Sequence, residues 1–169
     1  MTSRDSGVVA WQLGRSPRGT WRVGARCGYG FPAVIVTPSR LASGEPFPTL
    51  YWLTCPHLLE AVSRLESEGA VEEWAERLAA DAAFADRMLA ADAAYRSARA
   101  AESGGDDACA SVGIAGQRDP LGTKCLHAHV AAALAGIDDP VGAAVLDSLS
   151  RECADGRCAA YAAGTDGPG

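Results

Sequence analysis

Apolar residues in this chain change their spacing at Cys55. Before that point they fall in three short runs rich in Val, Ile, Thr, Trp and Tyr, and segments rich in glycine and proline separate the runs. β-Branched and aromatic residues bounded by such breakers are typical of strands. The pattern therefore predicts a small antiparallel meander of three strands, at residues 21–27, 33–37 and 49–54.

After Cys55 the apolar residues recur at helical spacing. Pro56 suits the first position of a helix, which makes Cys55 the expected N-cap residue. Apolar side chains then follow three or four residues apart as far as Leu65, and Gly69 stands where a left-handed residue ends a helix. Four further helices are predicted, at residues 71–80, 82–102, 124–135 and 139–150.

These elements predict an α+β fold, in which a small N-terminal antiparallel sheet packs against a helical majority of about five helices. Residues 8–153 form a single domain in this interpretation. Within it, residues 103–119 are rich in Gly, Asp and Ser and are predicted to be a mobile loop. The two ends lack periodicity, so we expect a disordered tail at 1–7 and a flexible tail at 154–169.

The composition limits the class of protein. Of the 169 residues 48% are hydrophobic, which is enough for one core. The chain contains no run of about 18 apolar residues, which a membrane-spanning helix would need. Its first residues also lack the charged-then-apolar order of a signal peptide. We therefore expect a cytoplasmic protein with no membrane partner. Its six cysteines are then expected to be thiols, metal ligands or core residues rather than disulfides.

The net charge of −6 hides an uneven distribution. Residues 1–40 carry six arginines against one acid, whereas the remainder carries nine basic and twenty acidic groups. Such a basic segment could contact phosphate or an acidic partner, which defines one possible function, a non-catalytic interaction module. Alternatively the arginines are solvated or paired with the chain's own acids. Nucleic acid is not the expected partner.

All three histidines stand next to a cysteine, in the sequences Cys55-Pro56-His57 and Cys125-Leu126-His127-Ala128-His129. Thiolates and imidazoles bind zinc and other borderline metals, and they are also the usual pair for activating a sulfur nucleophile. A third interpretation is that these are buried, inert cysteines and histidines on helix faces. The residue types alone leave all three open.

Helical geometry separates the two histidines of the second group. Cys125 and His129 are four residues apart and share a helix face, whereas His127 points away from Cys125. A Cys–His pair at this spacing can supply two ligands to one zinc ion. Cys55 has a separate argument, because the positive end of a helix lowers the pKa of an N-cap thiol. This observation supports a second function, a thiol-dependent enzyme or redox sensor that uses Cys55.

The remaining cysteines lie near the ends of predicted elements. Cys27 ends the first strand and Cys153 follows the last helix, so both could meet Cys55 and Cys125 at one point. Cys158 is a weaker candidate because it lies in the predicted C-terminal tail, and Cys109, in the predicted loop, is expected to be incidental. No Cys-x₂-Cys pair is present to fix a ligand set.

Several strings in the chain resemble one bacterial family. They are RCGYGFP at 26–32, PFPTLYWLTCP at 46–56, KCLH at 124–127 and DPVG at 139–142. The family is domain-of-unknown-function family 501, which is common in actinobacteria, and the resemblance covers residues 8–153. It implies a cytosolic protein without an established activity. Genes of this family often lie beside those for a septum-formation initiator protein and an exopolyphosphatase, which implies a partner in cell division or polyphosphate metabolism.

The family motif implies a specific ligand set. It covers Cys27, Cys55, Cys125 and His127, with Cys153 as the closing cysteine, and it disfavours His129. The leading hypothesis is therefore a metal-binding protein, in which Cys27, Cys55 and Cys125, together with Cys153 or His127, hold zinc or an iron–sulfur cluster.

Overall fold

The fold is built from one small sheet and seven helices within residues 2–165, the part of the chain that the computed structural model describes. The α+β class is confirmed, but the helices number seven instead of five. The helices are α1 (Ser3–Leu13), α2 (Pro56–Ser67), α3 (Ala70–Ala80), α4 (Ala82–Glu102), α5 (Leu126–Leu134), α6 (Pro140–Ser148) and α7 (Arg157–Thr165), with a 3₁₀ turn at Ile114–Gly116. The strands are β1 (Arg22–Arg26), β2 (Pro32–Val36) and β3 (Tyr51–Leu53).

The sheet has the predicted antiparallel meander, in the order β1-β2-β3. All five residues of β2 are buried, because this central strand is covered on both faces. In the register between β2 and β3, Val34 pairs with Leu53 and Ile35 pairs with Trp52. β3 ends two residues before Cys55, the N-cap residue of α2, so the sheet fixes where α2 begins.

Helices occupy both ends of the described chain, and this corrects two expectations. Residues 3–7, predicted to belong to a disordered tail, form the first turns of α1, and residues 157–165 of the predicted C-terminal tail form α7. Residues 1 and 166–169 lie outside the described part. The rings of Trp11 and Tyr161 stack with centroids 4.9 Å apart, so the two terminal helices support each other.

Helix α1 begins with a reciprocal capping box. Thr2 Oγ1 accepts a hydrogen bond from the Asp5 N–H at 3.1 Å, and the Asp5 carboxylate accepts one from the Thr2 N–H at 3.2 Å. The same carboxylate accepts two bonds from Arg26 of β1, at 2.8 and 3.0 Å. The Arg26 guanidinium holds the pKa of Asp5 far below its usual range. Asp5 therefore joins α1 to the sheet.

We expect the substitution Asp5→Asn to lower the free energy of unfolding by about 1–2 kcal/mol at neutral pH, since it removes the charge that pairs with Arg26 and one of the two acceptor oxygens. A lowered pKa in the folded chain stabilises it fully above the pKa of an unfolded aspartate, about 4, and this stabilisation disappears as the pH falls. In urea denaturation the difference from wild type should therefore shrink at acid pH. Asp86→Asn, at an exposed site on α4, is the control; an equal effect of both variants would contradict this role.

The segment 103–119, predicted to be a mobile loop, is extensively bonded to α4. Arg99 is fully buried, and its guanidinium donates hydrogen bonds to Asp107 and to the carbonyl oxygens of Pro48, Cys109 and Val112. The segment also contains the 3₁₀ turn at Ile114–Gly116. One buried cation thus shapes a stretch that has little regular structure of its own.

Helix α5 lies at the centre of the core, where it contacts α6, β3 and α2. It begins at Leu126, and Cys125 is its N-cap residue in an extended conformation, φ −152° and ψ 111°. The prediction placed the start two residues earlier. At Gly142 the backbone of α6 approaches α5 so closely that an added Cβ would lie 2.1 Å from the His129 carbonyl oxygen.

Within residues 2–165 no helix has the length and apolar character needed to span a membrane.

Candidate metal centres

The structure separates the five predicted ligands into two groups. Cys125 and His127 lie together at the start of α5, where they meet Glu66 from the last turn of α2. Cys27, Cys55 and Cys153 lie elsewhere, around a small cavity that they share with Cys158. We call the first set the Cys–His–Glu group and the second the cysteine quartet.

In the Cys–His–Glu group, one ligand atom from each of the three residues lies within 4.8 Å of the others. Nδ1 of His127 is 3.8 Å from the Cys125 sulfur and 3.1 Å from Oε1 of Glu66. Among the described residues this is the one set of His, Cys, Asp and Glu with such close convergence. The sulfur, the nitrogen and the oxygen all face the same point.

The other nitrogen of His127 faces the protein. Nε2 lies 3.3 Å from the Leu59 carbonyl oxygen and 3.2 Å from the Ser63 hydroxyl, both on α2. When Nε2 carries a proton and donates it to that carbonyl, Nδ1 presents its lone pair to Cys125 and Glu66. Histidines that bind metals are commonly oriented by such a bond from their second nitrogen.

Charge in this group favours a cation. The neighbouring Cys125 sulfur, together with the Glu66 carboxylate and the Leu59 carbonyl, raises the pKa of His127 to about 9, although burial opposes this. A proton and a metal ion would therefore compete for Nδ1 of His127. Glu66 is also held by the Leu126 N–H, which donates to Oε1 at 2.6 Å.

A cavity of about 270 Å³ lies beside this group, and Cys125 and His127 form part of its wall. Tyr51 and Trp52 of β3 and Ala115 of the 3₁₀ turn form other parts. The group is thus open on one side to a space large enough for a small molecule.

Helix geometry suggested a pairing of Cys125 with His129, which the family motif disfavoured. Because Cys125 is an extended N-cap residue, the angular rule for helical residues does not apply to its side chain. His129 is only 1% exposed, and its Nδ1 lies 2.7 Å from the carboxylate of Asp139, the N-cap residue of α6. His57, the third histidine, lies apart, with Nε2 2.8 Å from the Ser150 carbonyl oxygen.

The cysteine quartet draws on four separate parts of the chain. Cys27 follows β1, Cys55 precedes α2, Cys153 precedes α7 and Cys158 lies in α7. The cavity between them is about 10 Å³, and Gln12, Tyr29, Phe31 and Pro32 complete most of its wall. All four cysteines are free thiols.

The N-cap position of Cys55 does not lower the pKa of its thiol. Burial raises that pKa, and the backbone N–H groups of Leu58 and His57 oppose the effect only in part. No side-chain capping hydrogen bond forms at this helix start. The expectation of an activated Cys55 thiolate is therefore wrong, because desolvation outweighs the positive helix end.

Arginines of the basic N-terminal segment are partly paired with the chain's own acids. Arg22 binds Glu102 and Arg26 binds Asp5. Arg15 and Arg18 form no ion pair within residues 2–165; both line a cavity of about 230 Å³ beside Trp52. The interaction function inferred from this segment stays a prediction.

Sequence reasoning missed Glu66 and ranked Cys158 too low. Glu66 is one of several acids on an amphipathic helix, and no local pattern distinguishes it. Cys158 stands five residues after Cys153, and this spacing was the available signal; the assignment of residues 154–169 to a tail concealed it. Cys109 lies outside both groups, with its thiol 3.8 Å from the Ser39 carbonyl oxygen.

Comparison with known proteins identifies the family. A family model described as a protein of unknown function (DUF501) matches residues 23–147, well over half of the chain. The chain belongs to this family. The matched region of this DUF501 protein contains Cys27, Cys55 and the whole Cys–His–Glu group, and it ends before Cys153 and Cys158. Neither the curated proteins nor the solved structures gave a match.

Proposed function

We propose that this DUF501 protein binds a zinc ion through Glu66, Cys125 and His127. The observation that carries the proposal is the convergence of an oxygen, a sulfur and a nitrogen within 4.8 Å. Imidazole, thiolate and carboxylate are the three kinds of side chain that zinc takes as ligands. With the thiolate and the carboxylate ionised, the bound divalent cation is neutralised inside a partly buried site.

The distances support a tetrahedral ion. Zinc bonds of about 2.3 Å to sulfur and 2.0–2.2 Å to nitrogen and oxygen place tetrahedral ligand atoms about 3.4–3.6 Å apart. Nδ1 of His127 lies 3.8 Å from the Cys125 sulfur and 3.1 Å from the Glu66 oxygen. Small side-chain movements therefore suffice to bind the ion.

Three protein ligands leave a fourth position, and the adjoining cavity of about 270 Å³ gives it access to solvent. Catalytic zinc sites characteristically keep such a position for water or substrate, whereas structural sites use four protein ligands. A water bound there would have a lowered pKa and could act as a nucleophile. The site thus favours zinc-assisted chemistry on a small molecule.

Metal analysis of the purified full-length chain tests this proposal. We expect Glu66→Gln, Cys125→Ser and His127→Gln each to remove one equivalent of zinc, or to weaken its binding at least 10-fold. Glu68→Gln and His57→Gln change the same residue types outside the group and should retain the wild-type content.

Two outcomes would count against zinc at this site. One is a wild-type zinc content that none of the three substitutions lowers. The other is metal-free wild type, purified without chelators, in which Cys125 is alkylated much faster than the other thiols; this would identify a thiolate–imidazolium pair instead. In that case the thiol-dependent function belongs to Cys125 rather than Cys55.

A further inference from the structure

We infer that Cys27, Cys55, Cys153 and Cys158 form a second, closed metal site, in which four thiolates hold one zinc ion. This site does not depend on the Cys–His–Glu group, which shares no residue with it. Its four ligands come from a strand end, a helix start, a loop and a terminal helix. Four of the six cysteines line this one cavity. Such a concentration of thiols indicates a chemical role in addition to core packing.

The size of the cavity suits a single ion. A space of about 10 Å³ accommodates roughly one water-sized sphere. The sulfurs around a tetrahedral zinc lie about 3.8 Å apart. Among residues 2–165 only the Cys–His–Glu group has three or more ligand atoms within 4.8 Å of one another, so the sulfurs of the quartet have to move closer together to hold an ion.

N–H donors lie near three of the four sulfurs, those of Cys55, Cys153 and Cys158. Gln12 Nε2 donates to the Cys158 sulfur at 3.3 Å and is itself fixed by the Pro32 carbonyl oxygen at 2.9 Å. Burial raises the pKa of the Cys55 thiol, and the N–H groups of Leu58 and His57 oppose this in part. Such donors stabilise the negative charge that a metal-bound sulfur carries.

Cys153 has similar support. Burial and the Asp155 carboxylate raise the pKa of its thiol, and the backbone N–H groups of Arg157 and Gly156 oppose this in part. Its thiol donates to Asp155 Oδ1 at 3.0 Å, and metal binding removes that proton. The Asp155 carboxylate is already paired with Arg157, whose Nε lies 2.7 Å from Oδ2. Arg157 therefore offsets the charge that Asp155 would otherwise place near a thiolate.

A closed site of this kind stabilises the fold and has no catalytic role. It leaves no open position for a substrate, and four-cysteine zinc sites are typically structural. The ion would fasten α7 to the edge of the sheet and to the start of α2. It would add to the stacking of Tyr161 on Trp11 of α1 and to the ion pair between Arg157 and Glu60 of α2. Metal binding then contributes directly to the stability of the C-terminal helix.

The experiment compares zinc content and stability in single variants of the full-length chain. We expect two equivalents of zinc in the wild type, and one in either Cys158→Ser or Cys125→Ser. Cys109→Ser, a buried cysteine of neither site, should keep both. In addition, Cys158→Ser but not Cys125→Ser should raise the rate of tryptic cleavage at Arg151 and Arg157 at least 10-fold.

Thiol protection in the wild type provides a second readout that does not depend on a variant folding. A strong chelator should make the four thiols of the quartet reactive to alkylation, whereas Cys109 should be unaffected. Iron in place of zinc, lost in Cys158→Ser, would support the four-thiolate site and change only the ion. Unchanged metal content in Cys158→Ser, or quartet thiols equally reactive with and without chelator, would overturn the inference. If the quartet ion is confirmed but Glu66→Gln leaves the zinc content unchanged, the result counts only against the proposed zinc at the Cys–His–Glu group.

Discussion

Replacement of Arg99 by methionine is expected to lower the free energy of unfolding by about 3–5 kcal/mol, because it removes one partner of a buried ion pair and leaves the other charge buried. The Arg99 side chain is completely buried, and Asp107, its partner, is only 6% exposed. Methionine retains much of the volume but none of the N–H donors. The Asp107 carboxylate then remains buried without its cation.

The loss extends beyond the ion pair. Arg99 Nη2 donates to the carbonyl oxygens of Cys109, at 2.7 Å, and of Val112, while Nη1 donates to that of Pro48 at 3.0 Å. Arg99→Lys should recover only part of the stability, since an ammonium group cannot span the same acceptors as a planar guanidinium. We expect both variants to weaken the contacts of residues 107–112 with α4, whereas the hydrogen bonds from Arg96 to the Ala110 carbonyl oxygen and from the Ile114 N–H to Asp92 remain.

Urea denaturation of the purified protein measures this effect through the transition midpoint. Arg87→Met is the matched control on the same helix, because Arg87 pairs with Asp138 at the surface and both side chains are more than half exposed. An exposed pair contributes about 0–1 kcal/mol. If Arg99→Met were no more destabilising than Arg87→Met, the buried guanidinium would not be what holds residues 103–119.

The second large effect is expected from Gly142→Ala. An added Cβ would lie 2.1 Å from the His129 carbonyl oxygen and 2.9 Å from the Ala133 Cβ. The backbone of α5 cannot change conformation to relieve this clash as a flexible side chain could. Helices α5 and α6 therefore have to separate. We expect the free energy of unfolding to fall by about 3 kcal/mol or more, at the upper end of effects from overpacking.

This separation should also reach the Cys–His–Glu group, since α5 carries His127 and begins at Cys125. Zinc affinity at that site should fall together with stability, while the cysteine quartet, which has no ligand on α5, keeps its ion. Gly7→Ala in α1 is the control, because its Cβ would meet only the Tyr161 hydroxyl, at 3.8 Å; helix propensity should make it stabilising by about 0.5–1 kcal/mol. Equal melting temperatures of the two variants would contradict the close approach.

Periodicity predicted the centre of this fold well and its ends poorly. The bounds of α4 match the prediction because Asp81 caps its start and an uninterrupted helical pattern follows. Helix α1 was missed because its buried residues Val8 and Val9 are adjacent instead of three or four apart. Its stability comes from the Thr2–Asp5 cap and from contacts with α7, and only the first of these is visible locally.

The candidate ligands were mostly found, but their grouping was not. Residue type identifies cysteines and histidines as possible ligands, whereas their convergence depends on tertiary packing that no local pattern encodes. Cys125 and Cys55 both precede helices, and this similarity made one common site plausible. In the fold they lie near opposite ends of α2, which carries Glu66 in its last turn.

Helix α2 therefore acts as a spacer of fixed length. Cys55 precedes its first residue and Glu66 stands eleven positions later, so the two ligands are separated by about 16 Å along the axis. Two ions at such a separation cannot share a bridging ligand, which requires about 3.5–4 Å. Their mutual repulsion is also largely screened at physiological ionic strength, where the Debye length is about 8 Å. Removal of either ion should consequently leave the intrinsic affinity of the other site nearly unchanged.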